Sequence, residues 1–161
     1  MVAARAAHEF LGVDAHGVSA QLSTTGNDTA HVILRGGKDG PNYSAAHVAA
    51  AKRVLAARGL PEVLVVDASH GNSQKDHRRQ AAVVRDLAGQ LAAGETAIRG
   101  VMIESNLVAG RQDLDRRHPE ALEYGKSVTD ACVDLPTTEA LLAELAAATR
   151  TRRAAGVPAG G

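Results

Sequence analysis

Aromatic residues are nearly missing from this chain: Phe10, Tyr43 and Tyr124 are the whole set, 2% of 161 residues, and there is no tryptophan. A core must therefore be filled by Ala, Val, Leu and Ile, which suits layered helix and sheet packing. The same lack leaves almost nothing on which bases could stack, which argues against single-stranded nucleic-acid binding. One cysteine, Cys132, excludes an internal disulfide. Neither charge sign is in excess, with 18 basic against 18 acidic residues, so no whole-molecule field steers the protein toward nucleic acid or a lipid surface. No apolar run approaches the roughly 20 residues that span a bilayer. The start, Met1 to His8, lacks the apolar segment of a secretory signal, and the expectation is a cytoplasmic protein with neither membrane nor nucleic acid as partner. What is present is 45% hydrophobic residues over a length that fits one domain.

The pattern along the chain is a hairpin followed by repeated β-α units. Glu9 to Val13 and Val18 to Leu22 read as two strands about the turn Asp14-Ala-His-Gly, a hairpin over residues 8–22. From residue 31 strands are expected at His31–Arg35, Val63–Asp67, Gly100–Glu104 and Ser127–Asp130. Between them, Ser44 is placed to cap a helix that stops at Gly59. Ala81, Val84, Leu87, Ala88 and Leu91 have helical spacing up to Gly94. Pro136-Thr137 opens a last helix with Leu141, Leu142 and Leu145 on one face, and the segment 154–161 is an Ala/Gly/Pro-rich tail expected to fray. Parallel strands need crossover helices, so residues 31–153 read as four β-α units of a parallel sheet with helices on one side.

Each expected strand ends in a polar group with no packing reason to be there: Arg35, Asp67 with His70 just beyond, Glu104, and Asp130. In a (β/α)8 barrel the groups that do chemistry stand at these C-terminal strand ends, where the loops converge. His70, Glu104 and Asp130 form a mixed nitrogen and oxygen set suited to a divalent Mn, Fe, Co or Zn ion. Arg35, beside Gly36-Gly37-Lys38, offers a guanidinium fork for a phosphate or carboxylate. Plainer roles stand next to these. Asp67 reads better as a helix cap or an ion-pair partner, and His70 taken alone could equally be a loop histidine bonded to backbone. Gly36 to Gly40 is a turn signal without the Walker spacing. The remaining histidines lack a strand-end context, and Cys132 fits a small buried hydrophobe better than a thiolate ligand.

The phrases His31-Val-Ile-Leu-Arg-Gly-Gly-Lys, Pro41-Asn-Tyr, Asp67-Ala-Ser-His-Gly-Asn-Ser, Gly100-Val-Met-Ile-Glu-Ser-Asn and Tyr124-Gly-Lys-Ser-Val-Thr-Asp-Ala-Cys keep their order along the chain. Together they resemble the fifth through eighth strand-loop motifs of the type I, metal-dependent DAHP synthases. The resemblance implies an α/β fold that is half of a (β/α)8 TIM barrel, preceded by the hairpin, over residues 1–153. It implies a transferase of aromatic amino-acid biosynthesis that condenses phosphoenolpyruvate with erythrose 4-phosphate. His70, Glu104 and Asp130 match metal ligands, and Arg35 matches an arginine gripping the phosphoenolpyruvate phosphate. Arg35 and His70 would then be catalytic, with Asp130 also touching substrate. Phe10 and Leu22 match effector-facing positions of a feedback site, although the hairpin could equally cover a barrel edge or make a dimer contact.

No counterpart exists here for the family's Gly-Pro-Cys, Lys-Pro-Arg-Thr and Gly-Phe-Lys-Asn motifs, which belong to its N-terminal half. One metal ligand and most substrate contacts are thus expected from elsewhere, since such a barrel takes about 250 residues. An N-terminal half-barrel on another polypeptide or a second copy of this chain would close the sheet edges, and the isolated chain is expected to be inactive. The alternative is a non-catalytic remnant that binds a full-length relative.

Overall fold

The computed structural model describes residues 1–156. A single helical turn, α1 (Val2–Arg5), precedes an antiparallel hairpin of β1 (His8–Val13) and β2 (Ser19–Thr24) in which Phe10 lies opposite Leu22. Asp14 closes the hairpin turn, its carboxylate accepting the N–H groups of His16 at 2.8 Å and Val18 at 3.0 Å.

The body of the molecule alternates strand and helix: β3 (Val32–Leu34), α2 (Ala45–Ala56), β4 (Leu64–Asp67), α3 (Gln80–Ala92) and β5 (Ile98–Met102). The three strands form one parallel sheet in the order β3-β4-β5, with Leu34 beside Val66 and Asp67 beside Met102. Ser44 stands before α2 as expected, but its hydroxyl meets the His47 ring at 2.8 Å and makes no cap bond to the backbone.

The expected fourth strand does not join this sheet. Only Lys126–Ser127 is extended, as β7, and it pairs with a strand that periodicity missed, β6 (Val108–Arg111). Past Ser127 the chain bends through Asp130, and Val133 then reaches β5's continuation, donating its N–H to the Glu104 carbonyl at 3.0 Å. β6 has four residues with Gly110 inside it, too short for an alternation to register. The last helix, α4 (Leu135–Ala154), is capped by Asp134, which accepts the Thr137 N–H at 2.9 Å. Of its expected apolar face Leu141 is fully buried and Leu145 packs on the core, while Leu142 is 54% exposed. The tail expected over 154–161 begins at the helix's last residue, and residues 157–161 lie outside the described part.

Leu64 and Val66 of β4, Val48 of α2, Val83 and Leu87 of α3, and Leu141 of α4 make one core on the helix-covered face of the sheet. Each such side chain contributes roughly 1.5–3 kcal/mol on burial. On the opposite face Ile33 is 43% and Met102 40% exposed. Parallel sheets ordinarily have both faces covered, so one layer of this fold is uncovered. Among the described residues no helix is long and apolar enough to cross a membrane.

Candidate active site

Strand direction places the chemistry. β3, β4 and β5 run parallel, so the segments that leave them all emerge at one end of the sheet. Arg35 follows β3 directly, His70 lies three residues past β4, and Glu104 two past β5. Asp130 arrives from the bend after β7. His70, Glu104 and Asp130 each offer a donor atom, and these lie within 4.8 Å of one another. The His70 Nε2 is 3.5 Å from Glu104 Oε1 and 3.9 Å from Asp130 Oδ2. Together with Arg35, Lys75 and Ser69 they line a cavity of about 470 Å³. One imidazole and two carboxylates at this spacing suit a divalent cation, so the residues present fit the metal that their types suggested.

A second layer of hydrogen bonds orients these groups. Asp67, 2% exposed, places Oδ2 at 2.7 Å from His70 Nδ1 while its Oδ1 accepts the Ser69 N–H at 2.8 Å. A carboxylate accepts only, so Nδ1 carries a proton, and in the neutral imidazole the lone pair is then on Nε2, the nitrogen that faces Glu104 and Asp130. The Ser69 hydroxyl donates to Glu104 Oε2 at 2.6 Å, which leaves Oε1 facing the imidazole. His70 itself has φ +47, a left-handed conformation that costs a non-glycine residue energy and gathers at functional sites.

The Arg35 loop is tied to the His70 loop by backbone contact. Gly71 donates its N–H to the Arg35 carbonyl at 3.0 Å, and Gly36, at φ +82, passes so close that a Cβ there would stand 2.6 Å from the Gly71 backbone. Asn42 accepts the Gly36 N–H, and Asn72 holds the Asn42 N–H along with the carbonyls of Leu34 and Asp67. The guanidinium is thereby carried on a framework locked to the two strand ends.

A family model described as the DAHP synthetase I family matches residues 1–143. The chain belongs to that family. Its curated relatives include the Phe-sensitive phospho-2-dehydro-3-deoxyheptonate aldolase of Escherichia coli K12, 51% identical over 151 residues, or 94% of this chain and 42% of that protein. The phospho-2-dehydro-3-deoxyheptonate aldolase of Corynebacterium glutamicum is 50% identical over 158 residues, with 95% and 42% covered. The solved structure of the phospho-2-dehydro-3-deoxyheptonate aldolase from Francisella tularensis superposes with a TM-score of 0.86 at 45% identity, over 93% of this chain and 43% of that one. This DAHP synthetase I chain spans about two fifths of the length of the curated relatives it matches.

Within this family member the residues marked from sequence divide into two groups. Arg35, His70, Glu104 and Asp130 line one cavity, whereas Phe10 and Leu22 face each other across the hairpin. Phe10 is half exposed, and its ring lies near Gly12 with Leu22 on the same strand-pair face. Asp67 is a buried partner of His70, which settles against a helix cap. Cys132 is buried, and burial pushes its thiol up from the usual range, with the Ser127 hydrogen bond opposing and the Glu104 and Asp130 charges reinforcing the shift. Sequence reasoning missed Lys75, Ser69 and Gln80. Ser69 sits inside the Asp67-Ala-Ser-His phrase and could have been found there, while Lys75 owes its place to the left-handed turn at Gln74 and Lys75.

Proposed function

We propose that this chain is the C-terminal half of a 3-deoxy-7-phosphoheptulonate synthase, comprising β-α units five to eight of a (β/α)8 barrel over residues 1–153 with the hairpin of residues 8–22 leading in. The reaction is the condensation of phosphoenolpyruvate with erythrose 4-phosphate, in which C3 of phosphoenolpyruvate attacks the aldehyde, water adds and phosphate leaves. The observation that carries this reading is the convergence of His70, Glu104 and Asp130 within 4.8 Å beside Arg35 in a member of this family.

His70 Nε2 and the Glu104 and Asp130 carboxylates would hold a divalent metal ion, and such an ion would supply the Lewis acidity that polarises the aldehyde. Arg35 grips the phosphoenolpyruvate phosphate, and Lys75 on the same cavity wall adds a second cation. Asp67 keeps the His70 proton on Nδ1 so that the Nε2 lone pair stays free for a metal ion. Asp130, with its side chain 73% exposed, stands at the open side, where it also meets substrate. The uncovered sheet face around Ile33 and Met102 receives the complementary half-barrel or a second copy, and that layer supplies the remaining ligand and substrate contacts. Phe10 and Leu22 contribute to an effector site on the hairpin, and the protein works in the cytoplasm.

The test is reconstitution. Alone, the chain should consume no phosphoenolpyruvate, because positioning groups on the missing layer supply much of the orientation the reaction needs. Mixed with a separately expressed N-terminal half from a relative, it should gain synthase activity, and Arg35→Ala or Glu104→Ala should abolish the gain without preventing assembly. Full activity from the chain alone would refute the division of labour. A complex that forms and stays inactive with Arg35 and Glu104 intact would identify a non-catalytic assembly module.

A further inference from the structure

Gln80 is the first residue of α3, and although it is polar it is fully buried, with no measurable exposure. A buried amide is costly unless both of its ends are paired. Both are paired here, and on the same residue. Gln80 Oε1 accepts the Glu104 N–H at 2.9 Å, and Gln80 Nε2 donates to the Glu104 carbonyl at 3.2 Å. A leucine or methionine would fill this volume without the cost of burying an amide, so packing alone gives no reason for the glutamine.

The need arises from the position of Glu104. The ladder between β4 and β5 ends at the Asp67 and Met102 pair, so Glu104 lies beyond the reach of β4's backbone. Its carbonyl meets the Val133 N–H at 3.0 Å, but its own N–H finds no strand partner and is taken by Gln80. The side-chain amide thus pairs with the main chain two residues past the ladder's end. Metal-donor distances tolerate only about 0.2 Å of error, so a peptide free to rock at this point would carry the carboxylate out of range of a shared ion.

We infer that Gln80 is a positioning residue, whose buried amide clamps the main chain of Glu104 and so sets the carboxylate against His70 and Asp130. This deepens the proposed function and rests on its reading of those three side chains as a metal site. Gln80 touches no ligand atom. It acts through the backbone of the residue that does, while Ser69 fixes the same carboxylate from its other end.

The experiment is a double-mutant cycle on the full chain, with Mn²⁺ as the probe and free Mn²⁺ counted by electron paramagnetic resonance at neutral pH. Gln80→Met keeps the volume and removes both hydrogen bonds, and Gln80→Asn, one methylene shorter, keeps an amide that cannot reach Glu104. Circular dichroism identifies the folded variants, and the cycle is read on whichever of the two folds. The expected result is that Gln80→Met weakens Mn²⁺ binding about ten-fold, the lower end for outer-layer partners of a metal site. In a Glu104→Ala background the same change should alter affinity less than about two-fold, because the residue it acts through is gone. An equal loss in both backgrounds would make Gln80 a general staple between α3 and β5 and overturn the inference. Unchanged affinity in Gln80→Met, with Glu104→Ala weakened, would overturn it and leave the metal site standing. A parent chain that binds no Mn²⁺ would remove the metal reading and this inference with it.

Discussion

Replacing Asp67 by Asn changes one atom of the site's support and leaves its volume alone. Asp67 is 2% exposed, so the packing around an isosteric amide should persist. The amide oxygen can still accept the Ser69 N–H, now at 2.8 Å, but the NH2 group then faces His70 Nδ1 across what is now a 2.7 Å contact. An imidazole nitrogen facing a donor must accept, so the ring proton moves to Nε2. That nitrogen, 3.5 Å from Glu104 Oε1, would become a donor to the carboxylate and lose the lone pair that a metal ion needs. Removing the outer partner of a metal-binding histidine typically weakens affinity 10- to 100-fold, on the order of 1.4–2.8 kcal/mol. Mn²⁺ titration of the full chain followed by paramagnetic resonance should show this loss in Asp67→Asn, with His70→Ala as the floor and circular dichroism confirming an intact fold. Affinities for parent and Asp67→Asn that agree within about two-fold, while His70→Ala binds nothing, would refute the tautomer reasoning.

The two neighbouring leucines of α4 should behave very differently in urea unfolding. Leu141→Ala should cost about 2–5 kcal/mol as a core truncation, and Leu142→Ala, on the exposed side, should stay within about 0.5 kcal/mol. Asp134 provides a pH-dependent case, since its hydrogen bonds to Thr137 hold its carboxyl below the usual carboxylate range. A depressed folded-state pKa stabilises above the unfolded value and is lost as pH falls through the folded one. The melting temperature of Asp134→Ala should therefore lie below the parent's at neutral pH, and the gap should narrow as the solution is acidified past the usual carboxylate range. A gap that stays constant into strong acid would rule out the ionised cap.

Some of the candidate site is legible in the amino-acid sequence alone. Arg35 and Glu104 stand just after β3 and β5, and a charge there has no packing role on a buried strand, so residue type and position together mark it. For Asp130 the sequence signal is weaker. The strand expected to end at it is a bend, and its place in the cavity follows from the way residues 128–133 cross from β7 to the continuation of β5. The short β6 gave no periodic signal, and without it the pairing of Lys126–Ser127 could not be anticipated. Helix faces were read with similar limits. Leu141 and Leu145 turn inward and Leu142 does not, because α4 packs on α3 through one face whose limits spacing alone places only approximately.

The sequence by itself determined the alternation of strand and helix as far as β5, the hairpin with its Asp14 turn, and the strand-end residue types, since these depend on local dihedral preference and on which side chains tolerate burial. Tertiary structure alone decided that Asp67 serves His70 instead of capping a helix, that Ser69 and Gln80 converge on Glu104 from the loop after β4 and from α3, and that one sheet face is uncovered. A buried polar group takes its partner from whatever element packs over it, and Gln80 and Glu104 lie 24 residues apart, far beyond any period of 2 or 3.6.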